Sequence, residues 1–198
     1  MASIKKDSIS KRTATAPLSR KEAKTILTAL RGDNDKKSLL LFSLGFYTGF
    51  RISDILSITW QQLRTNEIAI IEKKTNKHRI VPIKGDLRSI IDFCDTDSTN
   101  DNYCFVGEKH NTGKAMTTQG ANKRIKRVFD KYAIKTQNAS SHTLRKTFAF
   151  NLYTQLGKDN HALIVVSKIL NHQNTGITRD YLGVTHKIID NCYELLTF

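Results

Sequence analysis

Five side chains, Arg51, His142, Arg145, His172 and Tyr181, are of the types that hold and attack an anion, and they stand in four separate segments of a 198-residue chain. His142 and Arg145 are three apart after Ser140-Ser141, at the start of an apolar run, so a helix beginning there places both on one face. Backbone NH groups at such an N-terminus add a fixed positive field and make a ready phosphate site. Alone, an HxxR spacing is weak, because chance produces it often. Arg51, in TGFRISDIL, lies between two apolar stretches. It is either an ion pair, with Asp54 one turn on as a partner, or a group directed at an anion. His172 follows the apolar run HALIVVSKIL, and Tyr181 comes nine residues later through a polar stretch. Either one alone would ordinarily be structural; the combination is what points to chemistry.

The charge balance names the class of anion. Lysine and arginine number 32 against 18 acidic residues, a formal +14 with a pI near 9.8. Such an excess concentrates polyanions at the surface, and neutralising phosphates releases condensed counterions, so double-stranded DNA is the first partner to expect. A basic, solvated surface with no partner is the bland alternative. Apolar content of 39% with 25% charged residues suits a globular chain long enough for one domain with a substantial core. No apolar run approaches a membrane span and MASIKKDSISKR has no apolar secretory segment, so the expected location is the cytoplasm, on the nucleoid. Cys94, Cys104 and Cys192 are odd in number with no CxxC pair, which suggests neither a disulfide framework nor a zinc ribbon. His78, His110, His161 and His186 have no partners at ligand spacing, and no metal or other cofactor is expected.

Residues 1–17 are polar, carry Lys5, Lys6, Lys11 and Arg12, and read as a basic flexible arm. Ser19 and Glu22 have capping-box spacing ahead of a helix over about 20–30 that Gly32 can end. SLLLFSLGFYTGF is apolar on nearly every face, as expected of a helix at the centre of a domain. Gly49 breaks it, and Ile52, Ile55, Leu56 and Trp60 then recur at helical spacing, which puts Arg51 at a helix junction. IAIIE and HRIVPI predict a β-hairpin turning through Thr75 and Asn76 with lysines at its tip. A short helix to about Cys94 follows. A helix over about 118–132 then carries Ile125, Val128, Phe129 and Tyr132 as a core stripe, with Lys123, Arg124, Lys126, Arg127 and Lys131 on its other faces. Such a basic face suits DNA-backbone contact, for which Lys123, Arg124, Arg127 and Lys131 are the candidates; solvated charge serves as well for any single one. Helices over 143–156 and 161–170, a short helix or turn at TGITRDYLG, and a C-terminal helix within 185–198 complete the chain. The expected fold class is mainly α with a small antiparallel β-sheet, α+β, in one domain over 18–198.

TGFRISDIL, SSHTLRKTFA and ILNHQNTGITRDYLG together resemble the tyrosine recombinase (phage integrase) family, with its Arg, His-x-x-Arg, His and Tyr in that order. The resemblance covers about residues 18–190, the catalytic domain. It implies that Arg51 and Arg145 clamp a scissile phosphate, that His142 and His172 flank it as hydrogen-bond donors or proton carriers, and that Tyr181 is the nucleophile. It implies that the family's hairpin lysine falls on Lys74, with Lys73 and Lys77 as rivals, and that Asp54 supports the first arginine from behind. Asn171 stands where many relatives have glycine before the second histidine, a point at which the backbone can differ.

The chemistry fits those residue types. A phosphodiester gains charge in a five-coordinate transition state, which two fixed guanidiniums stabilise without a metal. A phenol with an ordinary pKa of about 10 needs positive charge and a proton acceptor to become a nucleophile. A lysine can protonate the leaving 5′ oxygen. The resemblance thus implies a site-specific recombinase that cuts and rejoins DNA through a 3′-phosphotyrosine, in integration, excision or inversion. A DNA-binding regulator of the same fold and a type IB topoisomerase are the alternatives. Only about eighteen residues stand where most relatives have a separate helical domain, a length similar to recombinases that invert fimbrial promoter segments. A homotetramer on two DNA sites, with residues 185–198 packing between protomers, and an accessory DNA-binding protein are the expected partners.

Overall fold

The computed structural model describes residues 15–97, 102–107 and 113–183. Among these the order is α1 Arg20–Gly32, α2 Lys36–Thr48, α3 Ile52–Ile55, α4 Trp60–Arg64, β1 Glu67–Ile71, β2 His78–Pro82, α5 Gly85–Cys94, α6 Thr118–Lys131, α7 Ser141–Gln155, α8 Asn160–Ile169 and α9 Thr175–Leu182. The expected C-terminal helix within 185–198 and most of the basic arm lie outside the described residues. The described end of that arm meets the domain, where Ala16 NH donates to Gln137 O at 3.4 Å; just beyond it Leu18 is buried and its NH donates to the Thr147 hydroxyl at 2.9 Å.

The centre of the domain is α2, whose Leu39, Leu40, Leu41, Phe42 and Leu44 are all sealed from solvent. Fully burying each such side chain contributes about 1.5–3 kcal/mol, which is why so apolar a helix must be wrapped on all sides. It is wrapped by α1, α5, α6 and α7. α7 comes close because two glycines admit it. A Cβ at Gly45 would stand 2.7 Å from Leu144 Cβ, and one at Gly49 would stand 2.3 Å from Phe148 Cδ1. Gly49 also has φ +61 and ends α2 in the left-handed conformation, so glycine is required there twice over.

The stretch after Arg51 does not form one helix. It breaks into α3 and α4 because a segment from far along the chain takes over its backbone groups: Ile58 O accepts from Cys104 NH at 3.0 Å, and Trp60 NH donates to Asn102 O at 3.1 Å. Thr59 then caps α4 in a capping box with Gln62. The strands β1 and β2 pair antiparallel, Glu67 opposite Pro82 and Ile71 opposite His78, as a two-stranded sheet. A second, smaller apolar cluster lies between α7, α8 and α9, built on Ala149, Tyr153, Leu163, Val166 and Leu182. Among the described residues no helix is long and apolar enough to cross a membrane.

Candidate active site

The C-terminus of α2 leaves carbonyls without helical partners, and two arginines from distant segments supply them. Arg145, on the second turn of α7, donates from Nη1 to Gly49 O at 2.5 Å and from Nη2 to Leu170 O at 2.8 Å. Arg79, on β2, donates to Thr48 O and lies over the Phe50 ring at 4.7 Å. Arg145 is 5% exposed, so its guanidinium is held in place before any ligand arrives.

Arg51 is one fifth exposed and pairs through Nη1 with Glu72 Oε2 at 2.7 Å. Asp54, the partner expected one turn on, instead receives the Lys73 NH on Oδ1 at 3.1 Å, while its Oδ2 is buried without a hydrogen bond. Asp54 therefore supports the hairpin strand directly, and its charge favours the cationic form of Arg145. Glu72 is fully buried. Burial works against its charge, yet hydrogen bonds from Thr75 and Arg51, with a smaller contribution from the Asn171 side chain, hold its carboxyl below the usual range. Burial, then the nearby charge of Arg145, pushes Arg79 down to about 10.

His142 stands in the first turn of α7, beside a backbone fixed by the Ser141 NH to Asn122 Oδ1 bond at 2.9 Å. It remains exposed; the buried part of its ring, then the charges of Arg145, Lys146 and Lys74, lower its pKa. Lys74 lies at the turn between β1 and β2, close enough for its charge to act on His142. The side chains of Lys73 and Lys77 are exposed on that turn too.

His172 follows α8 after Asn171, whose φ of +54 is the left-handed conformation that asparagine tolerates where relatives use glycine. Its Nδ1 lies 2.8 Å from the Thr178 hydroxyl, and burial followed by the charges of Arg145 and Arg51 lowers its pKa to about 4, so it is neutral near pH 7. Its ring meets that of Tyr181 edge-on at 5.5 Å. The Tyr181 hydroxyl is enclosed and has no hydrogen bond of full geometry among the described residues. Burial pushes the phenol up to about 12, against the charge of Arg145, which stands close enough to donate weakly to the hydroxyl, and that of Arg51. Lys146 Nζ lies over its ring at 5.1 Å.

The structure thus brings Arg51, His142, Arg145, His172 and Tyr181 together, with Lys74 at the rim. The basic face of α6 divides. Arg124 reaches Asp35 at 3.5 Å and the Ser38 hydroxyl at 3.1 Å, tying α6 to the start of α2, and Lys131 pairs with Asp33 at 2.5 Å. Lys123 and Arg127 are exposed and, with Lys114 and Gly107, line a cleft of about 480 Å³. Among the described residues no three His, Cys, Asp or Glu side chains gather as a metal site. Sequence reasoning missed Glu72 and Arg79. The strand period carried a signal for the second: alternation puts Arg79 on the same face as Val81 and buried Ile83, a charge directed into a core.

Comparison with known proteins agrees with this geometry. The chain matches the phage integrase family over residues 17–187. It is 28% identical over 164 residues to a probable integrase/recombinase, YoeC, of Bacillus subtilis (strain 168), covering 82% of this chain and 86% of that protein. It is 27% identical over 161 residues to tyrosine recombinase XerC of Rickettsia bellii (strain OSU 85-389), covering 79% of this chain and 50% of that one. The fold superposes on XerA recombinase with a TM-score of 0.65 at 22% identity, covering 92% of this chain and 66% of the other. It also superposes on XerH recombinase in a post-cleavage complex with a palindromic difH substrate, at a TM-score of 0.66 and 21% identity, covering 91% and 53%. The chain therefore spans between half and two thirds of those longer recombinases. With the family matched over nearly its whole length, and the fold that of the tyrosine recombinase catalytic domain, this chain belongs to the phage integrase family.

Proposed function

We propose that this protein is a site-specific DNA recombinase that cuts and rejoins strands through a 3′-phosphotyrosine. The observation that carries the reading is the convergence of Arg51, Arg145, His172 and Tyr181 on one point, with an enclosed phenol whose hydroxyl lacks a partner beside two fixed guanidiniums. A scissile phosphate bound there accepts hydrogen bonds from Arg51 and Arg145, which stabilise the charge that grows on its oxygens. The Tyr181 oxygen forms a bond to phosphorus as the bond from phosphorus to the 5′ oxygen breaks. The phenol proton passes to a neighbouring neutral imidazole, and Lys74 protonates the departing 5′ oxygen. A second 5′ hydroxyl reverses the step on another strand, so rejoining needs no external energy source.

Asp54 supports the hairpin from behind. Lys123 and Arg127, with Lys114 beside them, offer the DNA backbone a basic cleft, while Arg124 and Lys131 contribute positive field from positions tied to Asp35 and Asp33. Four protomers on two sites, aided by an accessory DNA-binding protein, complete the proposed assembly. The test is covalent trapping: the protein is incubated with nicked duplexes drawn from around its own gene, denatured, and run for a protein–DNA adduct. An adduct that vanishes in Tyr181→Phe supports the reading. Tight, salt-sensitive binding with no adduct on any fragment sinks it in favour of a DNA-binding regulator.

A further inference from the structure

Glu72 is the fully buried charge that this chemistry leaves without a task. Its Oε2 accepts from Arg51 Nη1 at 2.7 Å and from the Thr75 hydroxyl at 2.6 Å, and its Oε1 lies 3.6 Å from Arg79 Nη1. Charge-assisted bonds of that length are strong and directional. The backbone of the same residue closes the hairpin turn: Glu72 NH donates to Lys77 O at 3.0 Å, and Asn76 NH donates to Glu72 O at 2.8 Å. Lys74 rides on that loop. One residue thus binds the turn on itself and then binds the turn, through Thr75, to the same carboxylate oxygen that orients Arg51.

Partnering Arg51 alone would not require this arrangement. Exposed two-residue links between a hairpin tip and a core are easily lost to water, whereas this link is made inside the protein to a carboxylate with no solvent access. An exposed lysine has several rotatable bonds and points nowhere in particular. Fixing its backbone against Arg51 fixes the point from which that side chain reaches.

We propose that Glu72 is a positioning residue for strand cleavage, acting through Thr75 to hold the turn so that Lys74 meets the leaving oxygen of a phosphate bound at Arg51. The inference rests on the reading of Lys74 as general acid. No bond is made or broken at Glu72 itself.

The experiment compares single-turnover cleavage of two nicked duplexes carrying the trapped site, one with the ordinary 5′ oxygen and one with a bridging 5′ sulfur. Sulfur leaves as a thiolate and needs no proton. Lys74→Ala, Thr75→Val, Glu72→Gln and Arg51→Ala are each assayed, with melting and DNA binding measured alongside. Thr75→Val keeps the shape of a partly buried side chain and removes only the link, so it remains informative should Glu72→Gln fold poorly. Loss of a general acid slows a reaction by about 10²–10⁴-fold. Lys74→Ala should show such a loss on oxygen, and Thr75→Val a loss of about tenfold or more; both should recover to near wild type on sulfur. Glu72→Gln should recover only in part, because Arg51 loses its partner, and Arg51→Ala should not recover. Thr75→Val equal to wild type on oxygen, or equally slow on both duplexes, overturns the positioning role. Lys74→Ala that fails to recover on sulfur overturns the acid assignment instead, and the inference with it.

Discussion

The two halves of the site are built on different foundations. The arginine half stands on the larger core: Arg145 and Arg79 satisfy the carbonyls at the end of α2, and Glu72 holds Arg51. Each arginine there has a carbonyl or carboxylate partner before DNA arrives, although among the described residues Asp54 Oδ2, Glu72 Oε1 and Arg79 Nη1 are buried without a hydrogen bond. The tyrosine half stands on the small cluster between α7, α8 and α9, and its reacting hydroxyl is enclosed with no hydrogen bond. What the contrast teaches is a division of labour. The arginines are held by the fold's own carbonyls and carboxylates, whereas the proposed nucleophile has an enclosed hydroxyl without a full hydrogen bond, which a bound substrate would relieve.

The largest test of this division is Tyr181→Phe. It should abolish the covalent adduct, yet leave stability unchanged or raised by up to about 1 kcal/mol, because it deletes a buried hydroxyl that has no partner. A clear fall in melting temperature would show that the hydroxyl is bonded after all. Arg145→Ala should behave oppositely in kind, lowering cleavage about a thousandfold, near 4 kcal/mol, and also destabilising the fold by about 1–3 kcal/mol as Gly49 and Leu170 carbonyls lose their donor. Normal stability in that variant would erase the contrast between the halves.

Gly49→Ala probes the joint between them, at the residue whose carbonyl accepts from Arg145. The added methyl meets Phe148 and the backbone stays at φ +61, so unfolding free energy should drop by about 2 kcal/mol or more. Chemical denaturation measures it, and a neutral result would mean that α2 and α7 can separate freely. The smallest effect concerns pH. His172 is driven by burial to about 4 from an ordinary value near 6.5, so between those values the unfolded chain binds the proton more readily than the folded one. Stability should therefore decline as pH falls from about 6.5 towards 4, and His172→Gln should flatten that decline. His142 is shifted in the same direction and remains in both proteins, so the difference isolates His172. Parallel curves would place His172 in contact with solvent.

Much of the fold was legible in the sequence wherever local pattern and burial agree. The all-round apolar run became the central α2, the alternating runs became the hairpin, and the left-handed break fell at Gly49. The stretch after Arg51 divides into α3 and α4, because helical spacing of Ile52, Ile55, Leu56 and Trp60 says nothing of a competing segment about forty residues away that bridges to Thr59. Asn171, which stands where the resemblance leads one to expect glycine, takes a positive φ that its short amide side chain accepts.

By itself the sequence determined which reactive groups are present, their order, and the placement of His142 and Arg145 on one helix face, since periodicity within a helix is a local property. It also determined the charge that draws the protein to a polyanion. Only the tertiary structure decided that Arg51 answers to Glu72 rather than Asp54, that Arg79 is an inward charge capping α2, and that two of the four candidate DNA contacts on α6 are tied to Asp33 and Asp35. Those choices depend on contacts between residues 20 to 100 positions apart. A carboxylate three residues away, as Asp54 is from Arg51, is no better placed than one at the hairpin when packing, not spacing, sets which carboxylate is buried beside the arginine.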